Sequence, residues 1–374
     1  MLIVIGAGPY GIATAAKAAE AGIETVVVGR PLGFWTDNMP AGMYLRSGPD
    51  WHLDASGIHT FEAFLEERGI AAADIDPVPI SVFLDYAGWF QRQKRVVVRD
   101  RLVTALRTDG DGSFRVTLDN GETLAAEAVV AAPGVRYFQQ QPEWTAALPA
   151  QLCSHTCELV NFADFAGARV LIVGGRQSAY EWAALIGEHG AERVDIAHRH
   201  DIPRFDRVSW KFVDGYIEQT LARPGWWRTL SRAEQDAIGR EFWEVGRLTL
   251  EWWLTPRLRG DRFRRHPGVS VAAVASEGPG ARVRLSDGTE LSVDRIVCAT
   301  GYQADLGRVP YLAGLLDRIE VAGGFPVLDE TFQASLPGLY LPGFTGTRDF
   351  GPFFGFTKGC PAAAELVSRG LSRR

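Results

Sequence analysis

Two glycine-rich turns, far apart in the chain, constrain the fold more than any other feature. The first occupies residues 6–11 and follows the apolar run 2–5; the second occupies residues 174–179 and follows the apolar run 170–173. An Ala-rich stretch with helical character comes after each turn. An apolar strand, a glycine turn and a helix, in this order, are typical of a dinucleotide-binding unit.

The same order of signals continues after each turn. Hairpin signals at Asn120-Gly121 and Asp287-Gly288 each lead into an apolar strand that ends in a small-residue turn, at 129–134 and 296–301. Equivalent glycines in the two halves are separated by nearly constant distances. The doubled pattern predicts an α/β fold with two Rossmann-like dinucleotide-binding domains.

The composition is that of an ordinary globular protein, with 46% apolar and 22% charged residues in 374 positions. A net charge of −6 without a basic block argues against nucleic acid as a partner. The start reads as a strand rather than a signal peptide, and no apolar run approaches the roughly 18 residues of a membrane span. Four cysteines are too few for a disulfide scaffold. We therefore expect a cytoplasmic protein without a membrane span or a metal site.

The first glycine turn has the full pattern of a phosphate-binding loop. Gly6 makes the tight turn, Gly8 lets a pyrophosphate approach the backbone, and Gly11 lets helix and strand pack closely. Pro9 and Tyr10 lie where the helix begins, and the free N–H groups of that helix end favour phosphate. The alternative is a glycine-rich turn that binds no ligand.

The segment after the first helix carries further candidates for cofactor contact. An acidic residue usually ends the next strand and binds ribose, but this chain has Gly29 followed by Arg30. How the ribose is held therefore stays open, with Arg30 as a candidate. The loop 33–47 is rich in large apolar residues, and we expect Trp35 and Leu45 to cover the face of a cofactor ring. Local packing is the alternative.

The second glycine turn departs from the pattern, because Arg176 occupies the middle glycine position. Its Cβ hinders backbone approach, whereas its guanidinium suits a phosphate. The next strand ends in Arg199, between His198 and His200, and basic residues there favour NADPH over NADH. A domain that no longer binds nucleotide is the alternative. The candidate binding residues of this turn are Gly174, Gly175, Arg176, Gln177 and Ser178.

Taken together, the motifs resemble those of the class B flavoprotein monooxygenases, which include flavin-containing monooxygenases and the lysine and ornithine N-hydroxylases. Residues 6–11 are similar to the FAD fingerprint of that family, and residues 173–181 resemble the GGGQSAxE form of the N-hydroxylases. Residues 299–302 match the ATGY motif. The signature FxGxxxHxxxW/Y is not intact, since Leu159 replaces its final aromatic residue.

The resemblance implies an FAD- and NADPH-dependent monooxygenase. Hydride from NADPH reduces the flavin, which reacts with O2 to form a C4a-hydroperoxide. This species then oxygenates a heteroatom of a small molecule, by N-hydroxylation ahead of S-oxidation. We predict an FAD domain from 1–150 plus 291–374, with an NADPH domain of 151–290 inserted in it. The resemblance also implies nucleotide contacts from Thr300, Gly301, Gly343 and Phe353.

Three residues are candidates for chemistry. Arg46 is suited to a peroxyflavin anion or a substrate carboxylate, and His52 to proton transfer. Asp349 lies in the aromatic run 347–359, where a helix beginning near Phe353 would direct N–H groups at the flavin. A structural histidine and a terminal helix that packs aromatic side chains into the core are the alternatives.

Residues 204–259 interrupt the second domain and predict a helical insert. Ser231 and Glu234 form a capping-box signal. Apolar residues then recur at helical spacing, at Ile238, Phe242, Val245, Leu248 and Trp252. The tryptophans of the insert are expected in the core or at an interface, with a substrate channel as the alternative, and a homodimer stays open.

Two other functions compete with the monooxygenase. Cys153 and Cys157 are spaced as CxxxC ahead of the second glycine turn, so a flavin-dependent disulfide or thiol reductase is one of them. The simpler interpretation is that Cys153 and Cys157 are two packed thiols at a domain junction. The other is a nucleotide-binding protein without catalysis, which the missing ribose acid and Arg176 favour.

Overall fold

The structure is a computed structural model that describes residues 1–373 of the 374-residue chain. Its first sheet has five parallel strands, and the first glycine turn follows the central one. This central strand is entirely buried, as an apolar run covered on both faces should be. In spatial order the strands are Leu339–Tyr340, Ala128–Ala131, Leu2–Ile5, Thr25–Val28 and Val98–Arg99.

The second sheet repeats this arrangement with five parallel strands. Its central strand again leads into a glycine turn, and Val173 at its end lies between Ala197 and Cys298 of the neighbouring strands. In spatial order the strands are Phe263–His266, Arg193–Ala197, Arg169–Val173, Arg295–Cys298 and Cys153–His155. The predicted α/β fold with two Rossmann-like units is confirmed.

Each unit also carries a three-stranded antiparallel sheet that contains the predicted hairpin. Gly121 and Gly288 have positive φ values of +84° and +89° in the two turns, a conformation that glycine adopts without strain. Both hairpin predictions are confirmed. The strands are Val103–Thr108, Phe114–Leu118 and Thr123–Ala126 in the first unit, and Val271–Glu277, Gly280–Leu285 and Glu290–Val293 in the second.

Helices cover the two parallel sheets. The helices that follow the two glycine turns both have 12 residues, Pro9–Glu20 and Gln177–Glu188, and we call them the first and second turn helices. The remaining α-helices outside the insert are Gly33–Asp37, Phe61–Glu67, Ile80–Gln93, Thr347–Phe350 and Cys360–Ser372. Short 3-10 helices are Ala72–Ile75, Arg136–Phe138, Glu143–Ala147, Ala163–Phe165, Leu306–Arg308, Pro310–Arg318, Gly343–Gly346, Pro352–Gly355 and Thr357–Gly359, and a small antiparallel pair joins Val321–Ala322 to Phe325–Pro326.

The predicted boundary between the NADPH domain and the second part of the FAD domain, at residues 290 and 291, does not coincide with the end of the second sheet. The strand Arg295–Cys298 hydrogen-bonds to Arg169–Val173 in the second sheet, although the predicted FAD domain includes it. The reason is the repeat itself, because this strand is the counterpart of Ala128–Ala131 in the first unit. The second unit therefore extends to about residue 298.

The insert, residues 204–259, is mainly helical, and its capping box is present, with Ser231 and Glu234 bonded reciprocally. The predicted apolar stripe is longer than the helix. The helix ends at Gly246, which lies against Trp210, and Leu248 of the stripe comes after that end. A Cβ on Gly246 would stand 2.7 Å from Trp210 Cη2, so the ring packs directly on the backbone. The elements are Arg204–Asp206, Trp210–Val213, Asp214–Ala222, Trp226–Thr229, Arg232–Gly246, Thr249–Glu251 and Leu254–Arg257.

The insert shares a hydrophobic core with the first unit. Trp210, Trp226 and Trp227 are buried in the same cluster as Val4 and Val130 of the first sheet. The insert therefore bridges the two units. It follows the strand Arg193–Ala197 of the second unit in the chain, and it packs on the core of the first unit. Within residues 1–373, no helix is long and apolar enough to cross a membrane.

Candidate active site

The first glycine turn has the geometry that its sequence predicts. Gly6 has φ +108°, and a Cβ there would lie 2.3 Å from the carbonyl oxygen of Ala132. A Cβ on Gly11 would lie 1.8 Å from the carbonyl oxygen of Gly6, so helix and strand meet backbone to backbone. A Cβ on Gly8 would meet no atom within 4 Å. Space is therefore open only above Gly8, the position assigned to a pyrophosphate.

Gly29 explains why no acidic residue ends the second strand. A Cβ at this position would lie 2.7 Å from the backbone nitrogen of Ala7, inside the first glycine turn. A side chain is therefore excluded where related loops place a carboxylate. The exposed Arg30 pairs with Asp37 at 3.0 Å, which brings a carboxylate to this end of the strand from the following helix.

Tyr10 joins the first turn helix to the C-terminal segment. Its hydroxyl donates to the carbonyl oxygens of Phe354 and Phe356, at 2.5 and 2.8 Å. Burial raises the pKa of Tyr10 well above its ordinary value, so the hydroxyl keeps its proton. Gly343 packs on the Tyr10 ring, where a Cβ would stand 3.3 Å from the ring carbons.

The apolar loop after the second strand is partly helical and packs locally. Trp35 lies in the short helix Gly33–Asp37, and its ring centroid is 4.4 Å from that of Phe83. Leu45 donates its backbone N–H to the carbonyl of Val78. Both residues contact the cluster around Phe83. Their expected contact with a cofactor ring stays a prediction.

Arg46 connects the first unit to the insert. Its guanidinium pairs with Glu251 at 3.1 Å and donates to the carbonyl oxygens of Gly246 at 2.5 Å and Thr249 at 2.8 Å. It also lies over the Trp210 ring, 5.1 Å from the centroid. Burial raises the pKa of Glu251 to about 7, although the Arg46 charge opposes that shift. Arg46 therefore already has a carboxylate partner within the protein.

His52 and Asp349 lie in different environments. The Nδ1 atom of His52 is buried without a hydrogen-bond partner among the described residues, and burial lowers the pKa of the ring. The imidazole is thus neutral at pH 7, and its expected role in proton transfer stays a prediction. The buried Asp349 accepts hydrogen bonds from Leu328 N at 2.8 Å and from Arg348 at 3.3 Å, and so holds two segments of the C-terminal region together.

The expected helix near Phe353 begins later. Residues Pro352–Gly355 form a 3-10 turn, and the α-helix starts at Cys360. Gly351 has φ +94°, and a Cβ there would stand 2.5 Å from the Phe353 ring. The buried Phe353 contacts Trp227, and this packing against the insert turns the chain before the helix begins.

The second glycine turn repeats the first at its opening residue. Gly174 has φ +140°, and a Cβ there would lie 2.4 Å from the carbonyl oxygen of Ala299. The corresponding distance from Gly6 to the carbonyl oxygen of Ala132 is 2.3 Å. Thr300 donates its hydroxyl to the carbonyl of Gln140, and the carbonyl of Gly301 accepts from Gln140 N at 2.9 Å. The ATGY turn thus packs on the link between the units.

His198 and His200 cover Gly175 rather than pointing freely at a phosphate. A Cβ on Gly175 would lie 2.5 Å from both rings, which stack at 4.4 Å. The Nδ1 atom of His198 is 2.8 Å from a carbonyl oxygen and therefore carries the proton, which leaves Nε2 to accept from the Tyr180 hydroxyl at 3.0 Å. Burial lowers the pKa of His198, so the permanent positive charge beside it comes from arginines such as Arg199 and Arg265.

Arg176 precedes the second turn helix and stacks on the insert. Its guanidinium carbon lies 3.7 Å from the centroid of the Trp243 ring, which is 38% exposed. Partial loss of hydration around the guanidinium and the nearby Arg199 charge lower the pKa of Arg176 to about 10, so it stays charged at pH 7. Gln177 turns inward and donates to Glu181 at 2.9 Å, whereas Ser178 is exposed at the helix start.

Cys153 and Cys157, the cysteines of the alternative reductase function, have different neighbours. The Cys153 thiol is 3.7 Å from that of Cys298 on the adjacent strand, and the buried Cys157 lies beside Tyr302. A cavity of about 360 Å³ borders Cys157 at the junction of the two units, next to Asn38 and Arg308. Across residues 1–373, no cluster of His, Cys, Asp and Glu could hold a metal ion.

A model of the pyridine nucleotide-disulphide oxidoreductase family matches residues 3–225, more than half of the chain. The chain belongs to this family. The match includes the first glycine turn, the second one and the start of the insert. The expected enzyme class, an oxidoreductase, is confirmed at this level.

Individual relatives match parts of the chain. A FAD-dependent urate hydroxylase of Xanthomonas campestris pv. campestris is 33% identical over 173 residues, and a ferredoxin–NADP reductase of Nocardioides sp. is 30% identical over 234 residues. These alignments cover 44% and 59% of this chain. They span only 37% and 61% of the two relatives, less than two thirds of either.

A solved structure matches along the whole chain. Ornithine hydroxylase from Pseudomonas aeruginosa has a TM-score of 0.81, with 18% identity, and the match covers 100% of this chain and 98% of the other. At that identity the similarity concerns the fold. It agrees with the predicted α/β fold that has two Rossmann-like units.

Several residues at this oxidoreductase's unit junction were missed by the sequence reasoning. Glu181 binds Arg257 at 2.8 Å in a buried pair, and its only signal was its place in the N-hydroxylase-like motif. Glu251 and Arg247 lie in the insert beside Arg46, and no local pattern marks them. The tryptophans of the insert were expected in the core or at an interface, but Trp243 is 38% exposed and lies against Arg176.

Proposed function

We propose that this oxidoreductase is an FAD-dependent monooxygenase that uses NADPH and O2 to oxygenate a heteroatom of a small molecule. The observation that carries the proposal is the repeated turn geometry. Gly6 against Ala132 and Gly174 against Ala299 have the same close approach, and each turn leads into a helix whose N-terminus has no side-chain cap. Two dinucleotides have matching places in one chain.

The first turn fits FAD. The open space above Gly8 and the uncapped N–H groups of the first turn helix suit a pyrophosphate. Arg30 and Asp37 lie at the strand end where ribose hydroxyls would be bound. Gly343 and Tyr10 close this turn from the C-terminal side.

The second turn fits NADPH in a modified way. Arg176 replaces the usual glycine, and its backbone angles of φ −106° and ψ −172° are those of an extended residue, so the turn keeps its shape. Arg176 and Arg199 together place two positive charges at the second turn helix, which suits the pyrophosphate and the 2′-phosphate. Ser178 adds an exposed hydroxyl at the helix start.

The bound cofactors would supply the redox and oxygen-activating chemistry, and the protein supplies binding, orientation and dryness. Arg46 links the first unit to the insert through Glu251, and Trp210, Trp226 and Trp227 of the insert are buried in the core of the first unit. His52 offers a neutral imidazole for moving a proton. We place N-hydroxylation ahead of S-oxidation, a choice supported by the similarity of the fold to that of an ornithine hydroxylase.

The competing reductase depends on a dithiol. Cys153 lies next to Cys298 and not next to Cys157, and Cys298 is fully buried in the strand. Cys153 is partly exposed, but its neighbour Cys298 is closed to a substrate disulfide. The monooxygenase needs none of these cysteines, and the double variant Cys153→Ser/Cys157→Ser separates the two functions.

The test is an absorption spectrum of the purified protein, recorded without oxygen before and after NADPH, followed by turnover under ¹⁸O2. L-Ornithine, L-lysine and the thioether 4-(methylsulfanyl)phenylacetate are the candidate substrates. We expect a flavin spectrum that bleaches with NADPH, and a product that carries one ¹⁸O atom, unchanged in the cysteine double variant. NADPH oxidation that is independent of O2 and lost in that variant would establish the reductase instead. A protein that binds nucleotide but does not oxidise NADPH would establish the silent binding protein.

A further inference from the structure

Arg247, at the end of the insert helix, is a cation without a counter-ion. Its guanidinium carbon lies 4.7 Å from the centroid of the Phe356 ring and 5.6 Å from that of Phe242. Across residues 1–373 its side chain has no hydrogen bond and no ion pair. Its charged neighbours are Arg46 and Arg176, which repel it. Arg46 has Glu251 as a partner, so the excess positive charge of this group rests on Arg176 and Arg247.

The two free cations differ in their surroundings. Arg176 is exposed beside the second glycine turn and Arg199, where a dinucleotide phosphate would lie. Arg247 is half-buried against aromatic rings from two different parts of the chain, Phe242 of the insert and Phe356 of the C-terminal segment. An anion at Arg247 would therefore meet ring faces as well as a charge.

The same two rings contact a free hydrogen-bond donor. Trp210 packs on Phe356 at 5.2 Å and on Phe242 at 5.8 Å between ring centroids. Trp210 is 6% exposed, and its indole Nε1–H has no acceptor among the described residues. Buried indole N–H groups normally have a partner. The cluster also borders a gap of about 10 Å³, roughly the size of one water molecule, which Lys358 lines as well. We call Trp210, Phe242, Arg247 and Phe356 the aromatic-arginine site.

We propose that the aromatic-arginine site binds the substrate through a carboxylate on an aromatic body, with Arg247 pairing with the carboxylate and the rings packing on the body. A carboxylate accepts hydrogen bonds from both a guanidinium and an indole N–H, and it neutralises the free charge. This inference rests on the proposed function, because it names the class of molecule that the enzyme oxidises. It also reassigns carboxylate binding from Arg46, whose guanidinium is already paired with Glu251.

The test compares an acid with its uncharged isostere, 4-(methylsulfanyl)phenylacetate and 4-(methylsulfanyl)phenylacetamide, by isothermal titration calorimetry of the flavin-loaded protein. The variants are Arg247→Met, which keeps the packing length, and Arg247→Lys, which keeps the charge. Arg240→Met is the matched control, because Arg240 is exposed on the same helix and has no ion pair within the described chain. Circular dichroism checks that each variant is folded.

We expect the native protein to bind the acid at least about tenfold more tightly than the amide. Arg247→Met should remove this preference by weakening the acid alone, Arg247→Lys should keep part of it, and Arg240→Met should keep all of it. Trp210→Phe should weaken the acid by a few-fold.

Equal binding of acid and amide by the native protein, or no binding of either, overturns the proposal. It is also overturned if Arg247→Met weakens NADP⁺ and leaves the acid unchanged, since Arg247 would then bind the dinucleotide. Calorimetry consumes neither NADPH nor O2. A protein that binds the acid selectively but incorporates no ¹⁸O would therefore disprove the monooxygenase and support the aromatic-arginine site. A protein that incorporates ¹⁸O but binds acid and amide equally would support the monooxygenase and disprove the site.

Discussion

At the scale of single residues, the three glycines of the first turn have separable tasks. Gly6 and Gly11 are required by the protein itself, because a Cβ at either position would collide with backbone. Gly8 is not required by the protein, since its Cβ would meet nothing and its angles of φ −87° and ψ −176° suit any residue. The glycine at position 8 is therefore in keeping with the proposed binding of a cofactor pyrophosphate above it.

Substitution at Gly8 should therefore separate folding from cofactor binding. We expect Gly8→Val to fold with an unfolding free energy within about 0.5 kcal/mol of the native protein, yet to lose bound flavin. Gly6→Ala should instead lower that free energy by at least about 2 kcal/mol, because it combines a backbone clash with a positive φ. Flavin absorbance per protein and urea unfolding of the flavin-free forms measure the two effects. A Gly8→Val protein that retains its flavin would remove Gly8 from the binding site.

At the scale of elements, helices, strands and turns that depend on local sequence signals were predicted, whereas helix ends that depend on contacts between distant residues were not. The sheets, the turn helices and both hairpins were predicted, because strand patterns and turn glycines act over a few residues. The late helix start at Cys360 and the early helix end at Gly246 were missed. The first depends on Phe353 packing against the insert and the second on Trp210, contacts that no local pattern contains.

The capping box of the insert helix is an element whose contribution can be measured. Ser231 accepts from the backbone of Glu234 while the Glu234 carboxylate accepts from Ser231 N at 2.7 Å. Ser231→Ala should lower the unfolding free energy by about 1 kcal/mol, because one helix N–H group loses its acceptor. Glu234→Gln keeps the box and serves as the control. Flavin content should not change in either variant, and an unaltered urea midpoint for Ser231→Ala would show that the box adds no stability.

At the scale of the whole molecule, the insert makes one body of two similar units. It emerges from the second unit, shares the core of the first, and is held by ion pairs between distant segments. Arg46 and Glu251 are 205 positions apart, so no sequence pattern could have joined them. The candidate site is accordingly best predicted at the two glycine turns and least predicted at the junction, where Arg46, Arg247 and Glu251 meet.

The Arg46–Glu251 pair should give the molecule a specific pH dependence. Burial raises the pKa of Glu251 from its ordinary value near 4.5 to about 7, so between these values the folded state binds more protons than the unfolded state. This group's contribution to stability is therefore complete below about pH 4.5, declines as the pH rises to about 7, and is constant above it. Glu251→Gln should remove this decline from a series of urea unfolding curves, and Glu244→Gln, an exposed change in the same insert, should preserve it.

Removal of Arg46 should extend the decline of the unfolding free energy to higher pH. Without the guanidinium, the Glu251 carboxylate is buried with no positive partner at 3.1 Å, and its pKa rises above 7. We expect Arg46→Ala to lose about 3 kcal/mol of unfolding free energy at pH 8 and clearly less at pH 6, where Glu251 is protonated. The double variant Arg46→Ala/Glu251→Gln should recover much of the loss at pH 8, because it removes the buried charge. Equal losses at both pH values, with no recovery in the double variant, would show that Arg46 acts through its bonds to Gly246 and Thr249 and not through Glu251.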